Sequence, residues 1–487
     1  MVPRSSFAGA QWRALDPEYV MWITGLCSAG ILWLLVLAGQ LNLVCALIVA
    51  GTLLVVSFYD RATAALLTFT YLFLMGDIRR IVAIAFGQPA QDLLLLVGPV
   101  MAFVLAFPLL LRVRLRDNTS KAMLLLLLVM ALEIFNPKQG GLAIGLSGAI
   151  FYIAPILWFW VGRQVGSPAV IERLVYRVIF PLAVLAALLG FVQTFIGFLP
   201  YEQAWIDVAA KTYTALHLGA SIRAFGFSVS ASEYVVLLMF GVVGVAAAYF
   251  GRRRNWVVLF PILITGVILA SGRTAVVRII LTLAFIWAFR KGQELGTATI
   301  VRILLFATAG AVLVAAVASH FVPKTDSSAD RSAVDNALAH QAGGLAHPFD
   351  PKYSTAGLHG SMVWTGVLEG ITYPIGHGLG ATTEAAAKFG SDPSEGSSEV
   401  DFSDMFISLG LIGGVLYLFV VVTAMRQSLT YLRQVPLTIG LPVTAMLFSS
   451  LGSWLIGGQY STSSVILFLV GALSYEDPMR SEEVQFA

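Results

Sequence analysis

The sequence predicts an all-α polytopic membrane protein with about 12 to 14 transmembrane helices and one large extramembrane loop that carries short helices. Three observations lead there. Of the 487 residues, 58% are hydrophobic and only 12% are charged, against roughly 25% charged in an ordinary soluble domain. The apolar residues gather into runs of about the length that crosses a bilayer, roughly 17 to 25 residues. The charged residues sit in small clusters between those runs, so the net charge of +3 carries topology information and no signature of a nucleic-acid partner.

In chain order the runs place spans at 20–38, 41–58, 62–76, 93–111, 122–135, 144–162, 176–196, 232–250, 256–271, 274–289, 299–319, 402–424, 436–456 and 461–475. The first 19 residues are mixed polar, and no small-residue cleavage site follows the first apolar run, so that run is expected to stay as a span. Charged groups punctuate the remainder, as at Arg79-Arg80, Arg252-Arg253-Arg254 and Arg290-Lys291. The Gly-rich stretch from Gln139 to Gly148 fits a re-entrant or interfacial piece as well as a span. Cys27 and Cys45 both fall inside spans, which supports neither a disulfide framework nor a zinc site.

Basic residues are concentrated between spans on one side, with the triplet at 252–254 and the cluster Arg112, Arg114, Arg116 and Lys121 as the strongest marks. The positive-inside rule then places both termini in the cytoplasm. The organisation is a cytoplasmic segment at 1–19, a first membrane part at 20–319, an external loop subdomain at 320–400, the last spans at 401–475 and a cytoplasmic tail at 476–487. Within the loop, Ser328 to His340 reads as a short helix. Gly360 to Tyr373 reads as an amphipathic one, with Met362, Val363, Val367 and Ile371 at helical spacing and a stop at Pro374 and Gly376-His377-Gly378-Leu379-Gly380. A small cap over the membrane domain is expected. All six histidines fall on the external side, and none shows metal-ligand spacing. No internal repeat of the kind seen in many transporters is visible.

Three segments carry candidate chemistry. In Ser221-Ile222-Arg223-Ala224-Phe225-Gly226, which leads from an external loop into a span, the planar fork of Arg223 suits an anionic oxygen ligand; an arginine snorkelling at a helix end is the competing explanation. In Ser271-Gly272-Arg273, a tight turn between spans, Arg273 sits at the turn and Arg278 more than one helical turn deeper. An intramembrane arginine is a functional candidate by default, with a buried pair to Glu133 or Glu233 as the alternative. The third segment runs from Glu399 to Gly414, where Asp401 and Asp404 share a helix face and could serve as a general base. An acidic residue there is also an ordinary helix start.

Together these segments resemble the O-antigen ligase/polymerase superfamily of bacterial membrane glycosyltransferases over roughly Tyr201 to Leu418. Arg223-Ala224-Phe225-Gly226 with Ser230-Ala231 is similar to that family's arginine-and-glycine approach to a span, and Ser271-Gly272-Arg273 to its Ser-Arg turn. Trp364 to Pro374, running into Gly376–Gly380, resembles its amphipathic helix, and Glu399 to Gly413 its last loop-to-span motif. The resemblance implies inverting, metal-independent glycan transfer without a cofactor, from undecaprenyl diphosphate at the periplasmic face of the inner membrane. Arg223, Arg273 and Arg278 are then the diphosphate-binding candidates.

Ligases of the family usually carry a histidine where this chain has Glu399, eleven residues before the first glycine of the last motif. The acidic version is more like the polysaccharide polymerases. It leaves Glu399, Asp401, Asp404 or His359 as candidates for the base. The arginine often found before the tryptophan of the amphipathic helix is also absent, with His359 and Gly360 in that neighbourhood. The expected partners are lipid-linked glycan donor and acceptor and the bilayer, with chain-length regulator and flippase proteins as associated components. A ligase acting on lipid A core and a secondary transporter or flippase are the rival expectations.

Overall fold

The computed structural model describes residues 35–36, 39–86, 92–110, 115, 117–209, 216–218, 221–289, 297–320, 332–383, 386, 400–456 and 459–475. It is an all-α polytopic membrane protein. Among the described residues, seven helices are long and apolar enough to cross a membrane: Leu41–Tyr59, Leu93–Leu110, Leu142–Val165, Pro168–Phe195, Ala231–Phe250, Val301–Ser319 and Asp401–Gln434. The helices used below are α1 (Leu41–Tyr59), α2 (Arg61–Phe86), α3 (Val97–Leu110), α4 (Asn118–Glu133), α5 (Leu142–Val165), α6 (Pro168–Arg173) and α7 (Phe180–Phe195). They continue as α8 (Pro200–Ala209), α9 (Ala231–Phe250), α10 (Phe260–Leu269), α11 (Arg273–Phe289) and α12 (Thr297–Ser319). The last are α13 (Ala333–Ala346), α14 (Ala356–Thr372), α15 (Asp401–Gln434), α16 (Leu437–Ser449) and α17 (Tyr460–Ala472). Among the described residues one two-stranded antiparallel pair, β1 (His217–Leu218) with β2 (Ser221–Ile222), precedes α9.

Helix α9 is buried almost throughout and packs on α7, α10, α11 and α16, so it forms the axis of the bundle. Outer helices turn large apolar side chains outward, as α12 does with Leu305, Val312 and Leu313, which is how a span meets hydrocarbon. Between helices there is no such contrast in hydrophobicity, so close packing has to come from small residues. Helices α5 and α17 show this: a Cβ on Gly162 would collide with the Phe468 carbonyl, and one on Gly471 with the Phe159 carbonyl. The two backbones touch where any larger residue would separate them. Polar groups inside the bundle serve helix ends. Glu233 of α9 accepts from the Ser461 backbone N–H at 2.7 Å and from the Ser461 hydroxyl at 3.1 Å, satisfying a donor at the start of α17.

Several expected elements differ. The expected span 436–456 is two pieces: α16 stops at Ser449, and 450–456 is a buried turn in which Gly452 has φ +79° and the Ser450 and Ser453 hydroxyls bond back to nearby carbonyls. The run expected at 256–271 begins as a 3-10 turn over Arg254–Leu259 before α10. The stretch 139–148 is neither re-entrant nor loose, because Gly140 closes a 3-10 turn and α5 starts at Leu142. Helix α2 runs on through Asp77, Arg79 and Arg80 to Phe86 instead of ending near residue 76, since each of these charges finds a partner. Most of the first expected span, 20–38, lies outside the described residues.

Helix α15 holds the largest departure. Gly410 interrupts it with φ +67° and ψ −164°, a conformation open to glycine alone. In an unbroken helix Asp401 and Tyr417 would stand about 24 Å apart along the axis, yet the Tyr417 hydroxyl donates to Asp401 Oδ2 at 2.5 Å. The segment 401–409 therefore folds back across the first turns of the span that follows Gly410.

Candidate functional site

The loop bearing Arg223 is held from three directions. The Arg223 backbone N–H bonds to the Leu216 carbonyl at 2.7 Å, extending the β1–β2 pair. Gln193, at the end of α7, accepts from the Phe225 and Gly226 N–H groups at 3.0 and 2.8 Å and donates to the Gly226 carbonyl at 3.0 Å. From α2, the buried Arg80 donates to the Ser228 carbonyl at 2.6 Å and pairs with Asp77 at 3.0 Å. Its guanidinium packs against the rings of Trp205 and Phe225, 4.5 and 4.2 Å from their centroids. Gly76 lets the Ser228 carbonyl approach α2 directly. Removing Arg80 leaves the Ser228 carbonyl without its arginine donor and the half-buried Asp77 with only the Tyr201 hydroxyl as a side-chain donor, so Arg80→Ala is expected to cost about 3 kcal/mol of stability, measured as an earlier thermal unfolding transition in detergent. Arg80→Lys, which keeps the charge, should recover part of the loss; an unchanged transition in Arg80→Ala would remove the clamp.

The second arginine sits on a turn of similar rigidity. Ser271 has φ +56°, unusual for a residue with a side chain, and its hydroxyl donates to the Ala337 carbonyl at 3.0 Å. Arg273 opens α11, donates to the Tyr353 carbonyl and lies along Gly344, where no Cβ obstructs it. Among the described residues no carboxylate forms an ion pair with Arg273.

Helix α13 joins the two loops. Its Asn336 donates to the Ser221 hydroxyl at 2.7 Å, two residues before Arg223, and the next residue, Ala337, receives Ser271, two residues before Arg273. One turn on, His340 lies within the fields of both guanidiniums. Burial first, then the charges of Arg273 and Arg223, push its imidazole down to about 4, so it is neutral at physiological pH. Its Nε2 is buried with no hydrogen-bond partner among the described residues. Beside it Gln341, 4% exposed, has both side-chain polar atoms buried and unbonded. Unsatisfied buried polar atoms of this kind cost free energy, and a polar ligand would satisfy them. A cavity of about 440 Å³ opens against Ser221 and Ile222 and the first residues of α13.

A second polar cluster hangs on the same helix α11, five residues and about 7.5 Å further along. Arg278 donates to the Ser453 hydroxyl at 2.7 Å, and its charge is supported electrostatically by Asp401. Its partner is thus neither of the expected carboxylates: Glu133 accepts from Asn136 at 2.7 Å, and Glu233 caps α17. Asp401 is fully buried, with Oδ2 accepting from the Trp454 N–H at 2.6 Å as well as from Tyr417. Asp404 is also fully buried, within electrostatic reach of Tyr152 and Tyr417. Nearby, Tyr152, Thr382 and Ser408 form a chain of hydroxyls at 2.9 and 2.8 Å.

The structure therefore brings Arg223 and Arg273 together around His340, and Arg278 with Asp401 around Ser453. Asp401 and Asp404 are buried, and neither they nor the three arginines line the cavity beside Ser221 and Ile222; Asp401 pins the folded-back segment to the turn at 450–456. His359 is half-buried on α14. Glu399 lies outside the described residues. Sequence reasoning passed over His340 and Gln341, although Asn336, His340 and Gly344 recur at helical spacing and mark one face of α13.

No family model matches this chain, and no curated protein or solved structure matches it either.

Proposed function

We infer that this protein is a polysaccharide polymerase of the membrane-glycosyltransferase kind, joining oligosaccharide repeat units carried on undecaprenyl diphosphate at the periplasmic face of a bacterial inner membrane. Both termini would then be cytoplasmic. One observation carries this reading: α13 latches two arginine-bearing loops, and the charges of Arg273 and Arg223 both reach the neutral His340 on that helix, next to an unbonded Gln341. Two guanidiniums held in place by their backbones suit an anion with oxygens on adjacent phosphorus atoms.

When the bond from sugar to diphosphate breaks, negative charge grows on the leaving oxygens. Fixed cations in a partly dehydrated site stabilise that charge without reorganising. The acceptor hydroxyl attacks the anomeric carbon, loses its proton to a base and displaces the polyprenyl diphosphate. The base is assigned to Glu399 or His359, because Asp401 and Asp404 are enclosed by the protein.

The test is reconstitution. In proteoliposomes supplied with a polyprenyl-diphosphate-linked repeat unit, a polymerase makes a ladder of longer lipid-linked glycans and releases polyprenyl diphosphate. Intact substrate carried across the bilayer with no ladder would establish a flippase instead, and transfer only to added lipid A core would establish a ligase.

His340 supplies a separate check through pH. The unfolded chain's imidazole titrates near 6.5 and the folded one near 4, so the folded protein binds fewer protons and loses stability as pH falls through that window. An anion seated between the arginines cancels their field and lifts His340, so binding must take up protons. A diphosphate diester, which has no ionisation of its own near neutrality, is expected to bind more tightly as pH drops from 7 to 5. Calorimetry in two buffers of different ionisation enthalpy reads the uptake. A dependence that persists unchanged in His340→Gln would show that another group is responsible.

A further inference from the structure

Helix α14, expected from the sequence as an amphipathic helix in a small cap over the membrane domain, turns its large apolar residues away from the bundle. Its packed face is made of glycine: Gly366 seats on Ser403 and Gly370 on Phe406, where a Cβ would stand 2.8 Å from the ring. The Ser403 hydroxyl donates to the Met362 carbonyl at 3.0 Å across the same contact. The large side chains point away. Leu358, Trp364, Leu368, Ile371 and Ile375 are between 43% and 75% exposed; Trp364, Leu368 and Ile371 recur at intervals of four and three residues, one continuous stripe on the helix, and Ile375 follows in the turn just beyond its end.

Three further observations say what covers that stripe. Of the charged residues Asp, Glu, Lys and Arg, the helix Ala356–Thr372 carries only Glu369, and that one is bonded to His377 at 3.2 Å. A helix of about 25 Å lying in water would carry more charge on its open side. Its neighbour is the folded-back segment 401–409, which itself lies on the start of the span: Phe406 stands 2.5 Å from where a Cβ of Gly414 would be, and Asp401 reaches Tyr417. Finally, the Leu411 N–H donates to the Pro374 carbonyl at 3.2 Å, tying the end of α14 to the first turn of that span. The outward stripe of α14 thus continues into the outward stripe of α15, where Ile412, Val415, Phe419 and Val422 are also exposed.

We propose that α14 is embedded in the bilayer beside α15, with lipid acyl chains packed on Trp364, Leu368, Ile371 and Ile375, and is not part of a water-surrounded cap. Its glycines bring it against the folded-back segment, and its bulky residues replace the contact with hydrocarbon that this segment would otherwise make. A failed transfer assay would leave this contact intact, since nothing in it depends on the chemistry at Arg223 and Arg273.

The experiment reads solvent directly. In a background with Cys27→Ser and Cys45→Ser, spin labels are attached one at a time through Trp364→Cys, Leu368→Cys, Ile371→Cys and Ile375→Cys in proteoliposomes of phosphatidylethanolamine and phosphatidylglycerol. These side chains are exposed, so replacing them is compatible with folding, and four positions guard against the failure of one. Relaxation by dissolved oxygen, which concentrates in hydrocarbon, is expected to exceed relaxation by a water-soluble nickel chelate severalfold at all four. A label at Lys352, on an exposed turn before the helix, is expected to show the reverse. Nickel-dominated relaxation at Trp364 and Leu368 would place the helix in water and overturn the proposal. Dipolar broadening at those positions would overturn it in favour of a second copy of the chain.

Discussion

Arg273→Ala is expected to lower the rate of transfer from a polyprenyl-diphosphate donor by roughly 10²- to 10³-fold, the usual cost of removing one preorganised group that stabilises a leaving anion. Arg223→Ala should fall in the same range, because α13 holds the two loops in one frame. Arg273→Lys should recover little: an ammonium carries the charge but cannot offer two parallel donors to a diphosphate. Arg273 also donates to Tyr353 and fills the space over Gly344, so lost activity could arise from a displaced α13. The two causes separate through the thermal transition and through binding of a diphosphate diester. A leaving-group role predicts a nearly unchanged transition with a large drop in turnover. In the native host the same variant should leave single repeat units on the lipid carrier. Polymer of normal length from Arg273→Ala would sink the assignment.

The fold class was legible because bilayer insertion is a demand on composition, and composition survives without any knowledge of contacts. Helix ends were legible where a charge or proline marks them, as at Pro374. They were not legible at 450–456, where serines and tryptophan read as part of a span. Only the structure shows the serine hydroxyls turning the chain and the Trp454 backbone N–H donating to Asp401. The two arginine loops could be recognised from local sequence, because each arginine sits beside a turn. His340 could not: a histidine acquires meaning from the charges around it, and those come from loops 67 and 117 residues earlier in the chain. Asp401 was open to two explanations, a general base or a helix cap, and neither pointed to the bonds its carboxylate makes to the Tyr417 hydroxyl and the Trp454 backbone N–H. The amphipathic pattern of α14 was legible but its orientation was not, since hydrophobic residues in a membrane protein mark the lipid side as readily as the core.

Gly410→Ala is expected to be strongly destabilising despite being a conservative change. A side chain at φ +67°, ψ −164° is strained by about 1 to 3 kcal/mol on backbone grounds alone. The added Cβ would also collide with the Pro374 carbonyl and stand 2.6 Å from the Gly376 nitrogen. Neither can yield cheaply, because both belong to a loop held elsewhere: the His377 and Gly378 N–H groups bond to the Ile407 and Ser408 carbonyls, and the Leu379 N–H to that of Glu133. Relief therefore requires opening the fold-back, which would separate Tyr417 from Asp401 and leave a buried carboxylate short of a donor. The sum is several kcal/mol, enough that little folded protein should survive extraction. Gly360→Ala is the matched control, since nothing lies within 4 Å of its added Cβ and alanine is the better helix former by roughly 0.5 to 1 kcal/mol. It should keep or raise the unfolding temperature. If Gly410→Ala unfolds at the same temperature as Gly360→Ala, then α15 can straighten without penalty, and Asp401 loses its role as the pin that closes the folded-back segment against the bundle.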